Sequence, residues 1–155
     1  MSFLYALAKQ VMFGKGAIGG ESVASLSLGS SVNVALILAS HTTDEKASTT
    51  GSLRSVFSSR ALDTTAGHVS QSNDIVLTGN EISSSNGITF FDATDVAFSC
   101  SNNQVIAGLL VYKAIGGVDA TSLPIAFINI STTTANGSTI NVNWDNGVNR
   151  IFSLT

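Results

Sequence analysis

Apolar and polar positions follow two different periods along this chain. Near the start, Leu4, Leu7, Ala8, Val11 and Met12 recur at helical spacing, the i, i+3, i+4, i+7 pattern of one helix face. Ser2 suits an N-cap and Gly14 a stop. The spacing predicts a short amphipathic helix over residues 3–13, with Phe3, Tyr5 and Phe13 extending its apolar reach. Such a face either covers the domain's own core or docks on a neighbour.

From residue 31 the helical period is replaced by short apolar runs and by alternation. Ser31 to Ala39 alternates and then becomes continuously apolar, which predicts a strand buried on both faces. Residues 40–52 are polar and read as a loop, residues 53–60 as a short helix or turn, and residues 63–71 as polar again. From residue 74 onward short strands alternate with turn chemistry. The strands predicted are Ile75–Thr78, Glu81–Ser83, Ile88–Phe91, Val96–Cys100, Val105–Ile115, Ile125–Ile130, Thr139–Trp144 and Val148–Leu154. Gly79-Asn80, Asn86-Gly87, Ser101-Asn102-Asn103, Gly116-Gly117, Asn136-Gly137 and Asn146-Gly147 punctuate them, and Asn-Gly is the strongest short signal for a type I′ hairpin turn. Pro124 fits the first position of its strand. Ile140, Val142 and Trp144 alternate with Asn141, Asn143 and Asp145, so one face is expected to be buried and the other wet. Strands with turns at roughly 8–12-residue intervals indicate an antiparallel β-sandwich or barrel. The fold expected is therefore mainly β, one domain over residues 1–155, with one short N-terminal helix. Helix and arm occupy residues 1–31 and the β core residues 32–155.

Between helix and first strand, residues 14–31 hold five glycines and five serines. Glycine loses the most backbone freedom on ordering, so this stretch resists forming a regular element alone. It is no dinucleotide fingerprint, because no strand precedes it and the expected helix comes before it. Ile18, Val23, Leu26 and Leu28 are nonetheless apolar. They suit an arm that binds a partner subunit by adding a strand to its sheet edge; the same four side chains also suit a loop closing over its own core.

Composition sharpens this picture. Charged residues make up only 11% of the chain, against 44% apolar, where about 25% charged is usual. Ser, Thr and Asn therefore supply most of the polar surface, and little like charge holds copies apart. The seven basic residues are scattered and the net charge is −3, which lacks the electrostatic footprint of a nucleic-acid partner. The longest near-apolar run, Val32 to Ala39, is far shorter than the roughly 20 residues that cross a bilayer, so no membrane partner is expected. The N-terminus has no basic region ahead of its apolar stretch, which argues against a secretory signal.

Candidate chemistry is sparse. His41 and His68 lie in polar, loop-like stretches, and Cys100 ends an apolar run, where a buried inert thiol is the expectation. These three residues have no metal-ligand spacing. Neither a Gly-x-Ser-x-Gly elbow nor a Walker loop occurs. Asp92 and Asp95 flank one turn, with Asp74 and Asp145 elsewhere. Paired carboxylates can hydrolyse glycosides or hold calcium, but Asp side chains equally cap turns by accepting from nearby N–H groups. We therefore expect no catalytic residues, no metal and no cofactor, and read the chain as a non-enzyme.

Four segments carry a resemblance. They are Gly87-Ile88-Thr89-Phe90-Phe91-Asp92-Ala93-Thr94-Asp95-Val96-Ala97-Phe98, Gly108-Leu109-Leu110-Val111-Tyr112-Lys113, Ser122-Leu123-Pro124-Ile125-Ala126-Phe127-Ile128-Asn129, and Asn136-Gly137-Ser138-Thr139-Ile140-Asn141-Val142-Asn143-Trp144-Asp145-Asn146-Gly147-Val148-Asn149-Arg150-Ile151-Phe152-Ser153-Leu154. Together they are similar to a family of small virion proteins of tailed bacteriophages, encoded among the head genes. The resemblance covers residues 87–155 and is loose over residues 1–86. It implies a virion structural protein: a capsid decoration, or cement, protein bound to the outside of the major capsid protein shell, trimeric, and made in the host cytoplasm. The alternative is a neck, tail or fibre module that binds a receptor or carbohydrate. Sugar platforms need aromatic faces, and besides eight Phe only Trp144, Tyr5 and Tyr112 are available, with Trp144 placed by its alternation toward the core.

Overall fold

The computed structural model describes residues 3–4, 31–39, 74–99, 102–115, 122–136, 139–144 and 151–154. Among the described residues every regular element is a strand, and no helix is long and apolar enough to cross a membrane. The strands are β1 (Phe3–Leu4), β2 (Val32–Leu38), β3 (Ile75–Val76), β4 (Glu81–Ser85), β5 (Ile88–Asp92), β6 (Val96–Ser99), β7 (Asn102–Lys113), β8 (Leu123–Asn136), β9 (Thr139–Val142) and β10 (Phe152–Leu154). All pairings are antiparallel, in three sheets ordered β1-β8-β7-β2-β3, β10-β5-β4 and β6-β9. The fold is mainly β, as the alternation predicts, and among the described residues no sheet closes on itself.

The continuous apolar run of β2 explains its place. It lies between β7 and β3, and Val34, Ala35, Leu36 and Ile37 are all buried. Covering a Val, Leu or Ile side chain stabilises by about 1.5–3 kcal/mol each, so a strand with nothing to show water belongs inside. Its partner β7 supplies Ile106, Leu109, Leu110, Val111 and Tyr112 to the same core, and β8 adds Ile125, Ala126 and Phe127. Phe91, Phe98, Trp144 and Ile151, which belong to or adjoin the two smaller sheets, join this single cluster. The core thus lies where the three sheets meet.

The turn chemistry is fulfilled at β4–β5. Asn86 (φ 53°) and Gly87 (φ 78°) are both left-handed and Ser85 faces Ile88 across the pair, the geometry a type I′ turn requires.

Several expectations need correction. The helix over residues 3–13 fails at its start: Phe3 and Leu4 form β1, facing Phe127 and Ala126 on β8, while residues 5–13 lie outside the described residues. An isolated three-turn helix is marginal in water, whereas the outer edge of β8 offers backbone donors and acceptors that need partners. Pro124 is the second residue of its strand rather than the first, opposite Tyr112 where the β7–β8 register shifts, a bulge that tolerates the missing N–H. β7 begins at Asn102, inside the predicted turn, and β8 runs on through exposed Ser131–Thr134 to Asn136. Finally, β8 and β9, and β9 and β10, are not paired with each other among the described residues, and Gly137 and Asn146-Gly147 lie outside those residues. β8 pairs with β7 and β1, β9 with β6, and β10 with β5, so each connection carries the chain between sheets.

Candidate functional site

Two of the carboxylates singled out as possible chemistry, Asp92 and Asp95, accept hydrogen bonds from the backbone. Between β5 and β6 the chain turns a corner at Asp92-Ala93-Thr94-Asp95. Asp92 Oδ1 accepts the Ala93 N–H at 2.9 Å, and Asp95 Oδ1 accepts the Trp144 N–H at 2.8 Å. The Trp144 indole Nε1–H donates to the Thr94 carbonyl at 3.1 Å, and the Thr94 N–H donates to the Thr78 carbonyl at 2.8 Å. Gly79 completes the corner: at φ 62°, a Cβ there would lie 2.6 Å from Thr94 Oγ1, so a side chain is excluded both by conformation and by space. Asp92 thus bonds within its own corner, the role its residue type suggested, whereas Asp95 ties that corner to the residue that follows β9 by two positions.

Trp144 is 7% exposed, and Ile140 and Val142 pack half-buried against the core, while Thr139, Asn141 and Asn143 are exposed. The alternation read from the sequence holds along β9. The largest aromatic face proposed for sugar stacking is therefore covered.

A second polar group is built into the five-stranded sheet. Asn33 on β2 faces Tyr112 on β7, and its Nδ2–H donates to the Tyr112 hydroxyl at 3.3 Å. That hydroxyl donates to Asp74 Oδ2 at 2.6 Å, a short, charge-assisted bond. Tyr112 is fully buried, and Asn33 Oδ1 is buried without a hydrogen-bond partner. The sequence signal was a Tyr inside an apolar strand, whose hydroxyl must find a partner when buried. The bonds tie the segment before β3 to the sheet centre. Tyr112→Phe should lower stability by about 1–3 kcal/mol, because Asn33 and Asp74 each lose the hydrogen bond to the hydroxyl while the phenyl ring offers none in return. Urea denaturation checks this, and a midpoint equal to that of the parent would refute it.

The remaining feature is a groove of about 550 Å³ between the far half of β8 and β9. Ile130, Ser131, Thr133 and Thr134 form one wall, residues 139–143 form the other, and Leu109 of β7 contributes from the core. Its origin is a bulge: Gly108 faces Asn129 while Ile106 faces Thr133, so residues 130–132 of β8 stand against Ala107 alone, two residues in excess, and the strand bends there. Every lining residue is uncharged. Sequence reasoning missed this groove.

The partner-binding residues expected from sequence, Ile18, Val23, Leu26 and Leu28, lie outside the described residues, as do His41, His68, Cys100 and Asp145. Among the described residues no group of three or more His, Cys, Asp or Glu side chains is placed to hold a metal ion. No family model, curated protein or solved structure matches the chain.

Proposed function

We propose that this chain is a structural protein of a bacteriophage virion, a decoration protein that binds the outside of the major capsid protein shell as a trimer and stabilises it. The observation that carries the reading is the charge-free stretch of residues 120–144. It places exposed Ser131–Thr134, Thr139 and Asn141 on strands β8 and β9, with exposed Asn143 just past the end of β9. Monomeric proteins usually guard exposed strand edges with Lys, Pro or inward charges. A long hydroxyl- and amide-rich surface without one suits a subunit held at high local copy number, where weak contacts add through neighbours. The likeness of residues 87–155 to head-gene proteins supports the same reading. In this proposal the five-stranded sheet and the smaller sheets form facing layers of a sandwich, with the shared cluster of Leu36, Leu109, Phe91 and Trp144 between them.

The test is the molar ratio of this protein to the major capsid protein in purified particles. A ratio near one is expected for decoration. A handful of copies per particle would move it to the neck or tail, and absence from particles would remove the virion reading.

A further inference from the structure

Five successive residues of β9 and its exit, Thr139 to Asn143, all line the groove. Successive strand residues point to opposite faces, so a surface touched by all of them is the strand's backbone edge. Among the described residues β9 pairs only with β6, leaving the backbone groups of its other edge outside any ladder. The facing wall, beyond the bulge of β8, is likewise paired only on its β7 side among the described residues. The groove is therefore bounded by two strand edges, with Leu109, Ile130, Ile140 and Val142 offering apolar surface and Thr and Asn side chains offering neutral hydrogen-bonding groups.

We propose that this groove accepts residues 22–28 of a second copy of the chain as an added strand. The inference rests on the reading of residues 14–31 as an intersubunit arm and names its acceptor. Two properties select the occupant. The segment Ser22-Val23-Ala24-Ser25-Leu26-Ser27-Leu28 carries no charge and ends in alternating Ser and Leu; it matches a groove with no charge to pair and both apolar and hydroxyl surfaces to meet. Extended, it covers roughly 23 Å, more than the roughly 17 Å of a five-residue edge.

Reach selects a second copy over the same one. Val32, where β2 begins, faces Lys113, whereas the groove wall at Thr133 faces Ile106. The seven ladder positions from Lys113 to Ile106 span roughly 23 Å. Leu28 lies only four residues before Val32, a separation of at most about 14 Å. Even the near end of the groove, at Leu109, lies four ladder positions along from Lys113, roughly 13 Å, and a strand added beyond β8 lies three strand spacings from β2, roughly 14 Å across. The straight line between them is about 19 Å, beyond the reach of Leu28, so residues 22–28 cannot all lie in their own groove, and a neighbour's groove is free of that tether.

Two variants test the proposal by sedimentation or light scattering, with circular dichroism confirming the fold. Asn141→Lys sets a charged side chain at an exposed position on the acceptor edge; Leu26→Asp charges the arm. The wild-type chain is expected to associate with rising concentration and each variant to remain monomeric. Mixing the two variants should restore one productive contact, since one keeps its arm and the other its groove. Should Leu26→Asp fail to fold, a labelled peptide of residues 21–30 replaces it, binding Asn141→Lys at least tenfold more weakly than wild type. A wild-type chain that stays monomeric, an Asn141→Lys chain that associates unchanged, or a mixture that remains monomeric overturns the proposal. Decoration is scored separately by the capsid ratio: particles carrying an Asn141→Lys chain whose self-association is intact would sink the groove and leave the virion reading standing.

Discussion

Replacing Trp144 with alanine is expected to destabilise the fold by about 3–5 kcal/mol, the range for deleting a large buried aromatic. Trp144 is 7% exposed and belongs to the same cluster as Phe91, Phe98 and Ile151, so its loss opens a cavity where the three sheets meet. The indole also donates to the Thr94 carbonyl, while the Trp144 backbone N–H is held by Asp95. Alanine keeps the backbone bond and loses the indole bond. Trp144→Phe separates the two contributions: it retains most of the volume, and its cost should fall to about 1–3 kcal/mol, that of an unpaired carbonyl plus imperfect packing. Thermal or urea unfolding followed by far-ultraviolet circular dichroism measures both. A Trp144→Ala midpoint indistinguishable from that of the parent would mean that this side chain is not part of the core.

The second large effect is expected at Gly108. A Cβ there would sit 2.2 Å from Cζ and 2.6 Å from Cε2 of Phe127, far inside van der Waals contact. The Phe127 ring lies over the glycine and is 6% exposed, so it has little room to withdraw. Gly108→Ala should therefore cost about 2–3 kcal/mol, at the upper end of overpacking penalties. Phe127→Ala alone should cost about 3–5 kcal/mol as a cavity. In the double variant the added methyl meets no ring, so the combined loss should be smaller than the sum by more than about 1 kcal/mol, the sign of direct contact. Additive losses in this double-mutant cycle would refute the clash.

Strands that announce themselves by local pattern were legible in the sequence. β2 is a continuous apolar run, β9 alternates cleanly, and Asn86-Gly87 demands the turn it makes. What escaped is non-local. The exposed half of β8, Ser131 to Thr134, has no apolar side chain to mark it, and exists as strand because β7 pairs with it. Phe3 and Leu4 carry a helical period, yet the edge of β8 settles their conformation. The groove was hidden for a related reason: Asn136-Gly137 looks like a hairpin turn, and a hairpin has no space between its strands. Only the separate pairing of β8 and β9 opens it. The arm residues chosen from sequence and the acceptor chosen from structure come from opposite ends of the chain, and neither implied the other.

The strand order β1-β8-β7-β2-β3 also bears on how the protein is made. During synthesis β2 emerges well before either of its neighbours, which both lie downstream, β3 at residue 75 and β7 ending at residue 113. Until then Val34-Ala35-Leu36-Ile37, an uncharged and β-prone run, waits without a partner, the kind of window from which nascent chains aggregate. Closing such distant pairs is also slow, because loop entropy is lost before the contacts compensate it. Yield in a cell should therefore respond to translation speed and chaperone supply more than the stability of the finished fold would suggest.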